Sequence, residues 1–168
     1  MKLRHIVMAA ATTSALATAT AAGLSTNDEE FVTKAAQAGM TEVQAGQIAE
    51  TQSDDPTVKA FAAHMVEDHN KVNQELSSLV SAKGGTLPQS VSDDQARLLG
   101  LLKAASGKDF DKLYSDKLGV MAHEETINLL IKESRNGDDA DLKAFASRTI
   151  APVRMHLDMA RELNRSVH

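Results

Sequence analysis

Four side chains able to bind a metal ion stand at widely separated positions in this chain. They are Glu42, His69, His123 and His156. Neutral imidazole nitrogen and carboxylate oxygen bind divalent transition metals, and helical bundles build such sites from side chains on facing helices. These residues therefore predict a site for a divalent metal ion, with zinc, copper and iron as the candidates.

Two carboxylates lie next to these positions in the sequence. Asp68 precedes His69, and Glu124 follows His123. A carboxylate that accepts a hydrogen bond from the second nitrogen of a ligating imidazole fixes the tautomer and orientation of that ring. We expect Asp68 and Glu124 to play this part or to be additional ligands. His64, on the flank of its helix, and His168, at the C-terminus, are assigned to the surface.

An alternative interpretation of the four residues requires no metal. A buried histidine commonly satisfies both ring nitrogens by hydrogen bonds to a helix carbonyl or to a carboxylate. A direct contact between Glu42 and His69 would do this. The sequence leaves both interpretations open.

Recognisable catalytic motifs are missing from the chain. Di-iron bundles place Glu-x-x-His on two helices, whereas Val66 and Val153 stand three residues before His69 and His156. No phosphate-binding glycine loop, nucleophile elbow or zincin motif is present. The sequence favours a protein without enzymatic activity, with a metal-dependent oxidoreductase of non-standard ligand set as the alternative. Four methionines at helical spacing are expected to fill the core: Met65, Met121, Met155 and Met159.

Apolar residues recur at helical spacing in four long segments, and each segment carries one of the four candidate ligands on its apolar side. The predicted helices cover residues 27–52, 56–83, 108–134 and 139–164. Asn27 is expected to cap the first helix, and Pro152 is expected to kink the fourth. At a rise of about 1.5 Å per residue, the four ligands lie at heights that allow them to converge.

A shorter helix is predicted in the connection between helices two and three. Ser92 and Gln95 form a capping box for a segment that ends near Ala105. Its leucines, at positions 98, 99, 101 and 102, are more numerous than one buried face requires. A third alternative is therefore a structural bundle that binds a partner through the outer face of this helix.

An internal repeat indicates how the helices are arranged. Residues 54–62 recur as residues 138–146, an offset of 84 residues. The repeat predicts two similar helical hairpins, residues 28–82 and 108–164. Two such hairpins joined by a long connection are typical of an all-α, ferritin-like four-helix bundle, here with an extra short helix between helices two and three.

The N-terminal segment has the features of an export signal. Lys2 and Arg4 precede an uncharged run over residues 6–22 that ends in small residues. We expect a signal peptide at 1–22 and a single domain at 23–168, periplasmic or secreted, with no stable transmembrane anchor in the mature chain. Removing the two cations changes the formal net charge from −5 to −7, which argues against nucleic-acid binding. The sequence indicates no particular protein partner.

Residues spread over almost the whole mature chain, from 31 to 163, form a recognisable pattern. They are Phe31-Val32, Ala35-Ala36, Gly39, Glu42-Val43, Phe61-Ala62, Met65-Val66, Asp68-His69, Leu87-Pro88, Gly107, Phe110-Asp111, Tyr114, His123, Phe145-Ala146, Pro152 and His156-Leu157. This pattern resembles family 4142 among the domains of unknown function. The resemblance implies an exported bacterial protein with a ferritin-like helical bundle, often labelled an outer-membrane protein, and a role in envelope stress or metal handling would fit that setting. It implies no particular chemistry.

Overall fold

The computed structural model describes residues 23–168, and every regular element in that range is helical. The predicted signal peptide at 1–22 lies outside the described residues. No helix within 23–168 combines the length and the apolar character needed to cross a membrane. The helices are α1 Thr26–Gln52, α2 Pro56–Ala82, α3 Asp93–Ala104, α4 Gly107–Leu113, α5 Ala122–Asn136 and α6 Ala140–Val167, with π-helical turns over Tyr114–Met121 between α4 and α5.

The repeated sequence is matched by a repeated helix start. Asp55 and Asp139 cap α2 and α6 in nearly the same backbone conformation, and each carboxylate accepts the backbone N–H groups two and three residues further on. These hydrogen bonds measure 2.7 and 3.3 Å at Asp55, and both measure 3.0 Å at Asp139. Phe61 and Phe145, each six residues after the capping aspartate, are both buried. Superposition of the complete hairpins remains a prediction.

The start of α1 differs from the sequence-based prediction. Ser25 caps the helix, because its hydroxyl oxygen accepts the backbone N–H of Asp28 at 3.2 Å. Asn27 already lies inside the first turn, and its amide donates to the carbonyl of Asn136 at 3.3 Å. The capping role predicted for Asn27 is therefore wrong.

A buried acidic pair joins the start of α1 to the turn between α5 and α6. The carboxylate of Asp28 accepts the backbone N–H groups of Asp138 and Asp139 at 2.9 and 3.1 Å. Glu133 is buried beside it, and one of its carboxyl oxygens has no hydrogen-bond partner. Burial, reinforced by the nearby Asp28, raises the pKa of Glu133 from 4.5 to about 7. Glu133 is therefore protonated at acidic pH in the folded protein.

The four long helices surround two apolar clusters. Helix α1 packs along α2, α5 packs along α6, and these pairs meet through α2 with α6 and α1 with α5. One cluster contains Phe61, Phe110 and Tyr114, and the other contains Phe31 and Phe145. On α1, α2 and the helix that carries His123, the predicted ligand lies between the residues that contribute to the two clusters, and on α6 it lies one residue before the last member of the second cluster. The protein therefore has a polar layer across its middle.

The third long helix contains an irregularity that the sequence did not reveal. Helix α4, the π-helical turns and α5 run on as one helix, but the backbone N–H of Ala122 binds the carbonyl of Lys117, five residues earlier. Within these turns Gly119 approaches α6 so closely that a Cβ there would lie 3.2 Å from Cβ of Ala160. Isolated π turns inside helices are frequent near functional sites. These turns end at Met121, two residues before His123.

Helix α3 turns its apolar side toward the core. The predicted capping box between Ser92 and Gln95 is present. Leu99 and Leu102 are buried and Leu98 is half-buried, so Leu101, 62% exposed, is the one leucine of this helix that faces outward. The apolar surface expected to receive a partner is therefore largely internal.

Two of the four methionines do not fill the core as predicted. Met65 is buried and Met159 is half-buried, whereas Met121 and Met155 are exposed.

Candidate metal centre

Three of the predicted histidines meet in the middle of the protein. His69 on α2, His123 on α5 and His156 on α6 each offer one ring nitrogen, and these three atoms lie within 4.8 Å of one another. The centroids of the three rings are 5.5–5.7 Å apart. The residues are 6%, 1% and 2% exposed, respectively. The convergence of separate helices thus produces a buried cluster of imidazoles.

The tautomer of His123 follows from its hydrogen bond to the π-helical turns. Its Nδ1 lies 3.0 Å from the carbonyl oxygen of Leu118. A carbonyl only accepts hydrogen bonds, so Nδ1 must carry the proton. The neutral ring then has an unprotonated lone pair on Nε2. The π-helical turns that precede His123 supply this carbonyl and so fix the ring.

His156 is held in the same way by an acidic side chain from another helix. Its Nε2 lies 3.1 Å from Oδ2 of Asp68, on α2. Although burial alone would raise it, hydrogen bonds from His156 and Lys71 hold the pKa of Asp68 below its usual value. An ionised carboxylate only accepts, so Nε2 of His156 donates and Nδ1 keeps its lone pair. Asp68 therefore orients His156 and not its sequence neighbour His69.

On each of the three rings, one nitrogen is buried without a hydrogen-bond partner. Nε2 of His69, Nε2 of His123 and Nδ1 of His156 are all buried and unpaired. Burial lowers the pKa of His69 from 6.5 to about 3 and that of His123 to about 4, so both rings are neutral at neutral pH. A buried acceptor without a donor costs about 1–3 kcal/mol. A cation placed among these atoms would remove that cost.

Glu42 lies beside the cluster but outside the group of three nitrogens. Its Oε1 is 3.8 Å from Nδ1 of His123, the nitrogen already bound to Leu118 and opposite the unpaired Nε2. Burial raises the pKa of Glu42 from 4.5 to about 8, so this side chain is a neutral acid at neutral pH. Among the described residues, no ion pair joins Glu42 to His69. Glu42 was predicted to be a direct ligand, but it lies behind His123, on the side of the ring away from the unpaired nitrogen.

The role predicted for Glu124, as a hydrogen-bond acceptor for a ligating imidazole or as an additional ligand, is wrong. Its side chain is exposed and accepts a hydrogen bond of 2.9 Å from Arg161 on α6. Successive residues of a helix differ by about 100° around its axis, so the neighbour of an inward-facing His123 points away from the core. His168 is exposed as expected, with Nε2 3.3 Å from Oδ2 of Asp116.

His64 belongs to the same region, although its flanking position led us to assign it to the surface. Its Nε2 lies 3.5 Å from Oδ2 of Asp68, and its ring centroid lies 5.5 Å from that of His156. The spacing of four residues between His64 and Asp68 places both on one side of α2. This spacing is the signal in the sequence that would have identified His64.

Two cavities lie in the region of the imidazole cluster. A cavity of about 240 Å³ has His69, His156 and Asp68 on its wall and is otherwise lined mainly by apolar residues of α1, α2, α5 and α6. A second, of about 550 Å³, lies between α1, α3 and the third long helix and reaches Glu42. Only the first of these two cavities is lined by histidines of the cluster.

The fold is shared with solved structures of low sequence identity. The structure described as CopM in the Cu(II)-bound form is 12% identical, with a TM-score of 0.70 over 84% of this chain and 97% of that chain. A conserved hypothetical protein from Mycobacterium tuberculosis, rv2844, is 18% identical, with a TM-score of 0.62 over 84% of this chain and 90% of that chain. At these identities the likeness concerns the fold alone.

No protein of curated function matches the chain. A family model, in contrast, covers most of its length, from residue 13 to residue 163. The pattern of residues recognised in the sequence is confirmed by this match. The chain belongs to the family described as Domain of unknown function (DUF4142).

Proposed function

We propose that this protein is an exported, ferritin-like helical bundle that binds one divalent transition-metal ion through His69, His123 and His156. The observation that carries the proposal is a cluster of three buried imidazoles, in which each ring has a buried nitrogen without a hydrogen-bond partner and one nitrogen of each ring lies within 4.8 Å of the others. On two of the rings the opposite nitrogen donates to a fixed acceptor, which leaves the inward nitrogen as a lone pair. Buried lone pairs close to one another are stabilised by a cation.

A proton is a poor candidate for that cation. Burial keeps the pKa of His69 and of His123 far below neutrality, so the rings do not hold an additional proton at pH 7. The alternative without metal, in which Glu42 pairs with His69, lacks the contact that it requires. A divalent ion carries a larger charge and forms directional bonds to all three nitrogens, which offsets the burial that a proton cannot overcome.

Copper(II) and zinc(II) fit this donor set best. Three imidazoles without thiolate suit both ions, and copper(II) lies above zinc(II) in the general order of affinity. Bonds of about 2.0–2.1 Å in a tetrahedral site place ligand nitrogens about 3.3–3.5 Å apart. One nitrogen of each ring already lies within 4.8 Å of a nitrogen of each of the other two rings, which is close to that spacing. A protein of this fold, CopM, was solved with Cu(II), which supports copper as the first ion to test.

The experiment is a metal titration of the purified mature protein, followed by isothermal calorimetry and by elemental analysis after dialysis. We expect the wild type to retain one ion per chain after dialysis and His69→Ala to retain none, because the inner site has lost a ligand. His168→Ala, which removes an exposed histidine, is the matched control and should bind like the wild type. Equal binding by all three proteins, or by none, would contradict the proposal.

The oxidoreductase alternative is favoured by one observation. Three protein ligands leave a fourth position on a tetrahedral ion, and the cavity of about 240 Å³ borders His69 and His156. A small substrate could reach the ion from that side. Oxidation of a small reductant by the copper-loaded protein, and its loss in His69→Ala, would distinguish an enzyme from a binding protein.

A further inference from the structure

We propose that His64, Asp68 and His156 form an outer site through which the ion passes on its way to the inner site of His69, His123 and His156. This inference rests on the proposed metal binding. One potential ligand atom from each outer residue lies within 4.8 Å of the others. Nε2 of His64 and Nε2 of His156 approach the same oxygen, Oδ2 of Asp68, at 3.5 and 3.1 Å. Two imidazoles and one carboxylate are a suitable donor set for zinc or copper.

The outer site connects the surface to the interior. The exposed fraction of the side chain falls from 38% at His64 through 26% at Asp68 to 3% at His156. The inner histidines are buried, so an ion that bound them directly would exchange most of its hydration shell for protein ligands in a single step. An outer group with two partly exposed ligands allows water to be replaced stepwise.

The two carboxylate oxygens of Asp68 have different partners. Nζ of Lys71 lies 3.3 Å from Oδ1 of Asp68 and 2.7 Å from Oε1 of Glu67, both on the exposed side of α2. Oδ2 is the oxygen that faces the two imidazoles. Lys71 thus occupies the outward oxygen of Asp68 and leaves Oδ2 for the ion.

His156 belongs to both sites but can serve only one at a time. Its Nε2 faces the outer site, and its unpaired Nδ1 is the nitrogen left for the inner site. A neutral imidazole has one lone pair and one N–H. An ion in the outer site binds Nε2 while Nδ1 carries the proton. When the ion moves inward it binds Nδ1, the proton returns to Nε2, and that N–H donates to Asp68 again, with no net proton gained or lost.

Because the two sites share His156, we expect the ion to occupy either the outer or the inner site, but not both at once. The outer site is then a step in ion transfer and not a second storage site. At saturation the wild type should hold one ion. Loss of His64 should slow both loading and release, because one ligand of the outer site is missing. The equilibrium affinity should be unchanged, because His64 does not contact the ion in its final position.

The test uses Zn²⁺ as the probe and a chromophoric chelator to follow its loading and release in a stopped-flow instrument. We expect His64→Ala to load and release Zn²⁺ about tenfold more slowly than the wild type, the lower end of the loss typical for a removed partner at a metal site. The calorimetric affinity of this variant should match the wild type. His168→Ala, with an exposed histidine far along the chain, is the control for rates. Circular dichroism melting verifies that each variant is folded.

The outcomes separate this inference from the proposed function. Unchanged rates in His64→Ala, with metal binding still lost in His69→Ala, would overturn the outer site and leave the inner site standing. Two Zn²⁺ ions per wild-type chain, one of them lost in His64→Ala, would overturn alternate occupancy. Wild-type affinity in His69→Ala would refute the proposed inner site itself, and the outer site as a route to it.

Discussion

Replacing His69 by leucine distinguishes a site prepared for a cation from a hydrogen-bonded network that stabilises the fold. His69 is 6% exposed, and its Nε2 has no partner. It lies on α2 between Met65 and Leu76, which belong to the two apolar clusters. A leucine of similar size can pack there without leaving a buried acceptor unpaired. We therefore expect the metal-free variant to be at least as stable as the metal-free wild type.

The expected free energies follow from the surroundings of the imidazole. Removing the unpaired ring nitrogen stabilises the folded state by about 1–3 kcal/mol, and imperfect packing of the new side chain costs up to about 1.5 kcal/mol. The net gain for His69→Leu at pH 7 should thus be about 1 kcal/mol. Zn²⁺ at one hundred times its dissociation constant should stabilise the wild type by about 2.7 kcal/mol. It should not stabilise the variant.

Acid provides an independent measure of the same site. Because burial lowers the pKa of His69 from 6.5 to about 3, the unfolded chain binds more protons than the folded one between these values. The contribution of the neutral His69 to the free energy of unfolding is therefore complete above pH 6.5 and is lost as the pH falls from 6.5 toward 3. Between pH 6.5 and pH 4.5, two units at about 1.4 kcal/mol each correspond to a loss of up to about 3 kcal/mol. His69→Leu should escape this part of the acid destabilisation.

The assay is urea unfolding of wild type, His69→Leu and the exposed control His168→Leu, at pH 7 and pH 4.5, with EDTA or with Zn²⁺. The control should respond to metal as the wild type does. A metal-free His69→Leu that is less stable than the wild type by 2 kcal/mol or more, with the same acid loss, would refute the argument, since the imidazole would then belong to a satisfied network.

Three further predictions concern other parts of the molecule. Glu133→Gln should leave the free energy of unfolding nearly unchanged at pH 4 and raise it at pH 8, because the raised pKa of about 7 means that wild-type stability falls between pH 4.5 and 7. Urea unfolding checks this, with the exposed Glu125→Gln as control. Asp68→Asn should weaken metal binding about 10- to 100-fold without abolishing it, measured by calorimetry, because it removes the acceptor that orients His156. N-terminal sequencing of periplasmic material should begin just after Ala21 or Ala22, and a chain beginning at Met1 would contradict export.

Much of the architecture could be predicted from local features of the chain. Asp55 with Pro56 and Ser92 with Gln95 mark helix starts, since the side chain that caps a first turn is close in sequence to the N–H groups it accepts. The inward orientation of His69, His123 and His156 also follows from periodicity, because neighbouring apolar residues define the buried side of each helix. The cap of α1 was predicted wrongly because Ser25 and Asn27 are both residue types that cap helices, and their sequence positions do not distinguish them.

The tertiary structure decided which groups face one another. Periodicity gives the angle of a side chain around its own helix, but not the helix opposite or the height at which two helices meet. Asp68 binds His156, 88 residues away, and not the adjacent His69. The π-helical turns direct the carbonyl of Leu118 to His123, and no local residue preference indicated them. Glu42 was correctly predicted to be buried, yet it lies behind His123 because the axial register of α1 against α5 sets its position. The candidate residues could thus be identified from the sequence. Their proposed roles as ligand, orienting group and outer residue depend on contacts between helices.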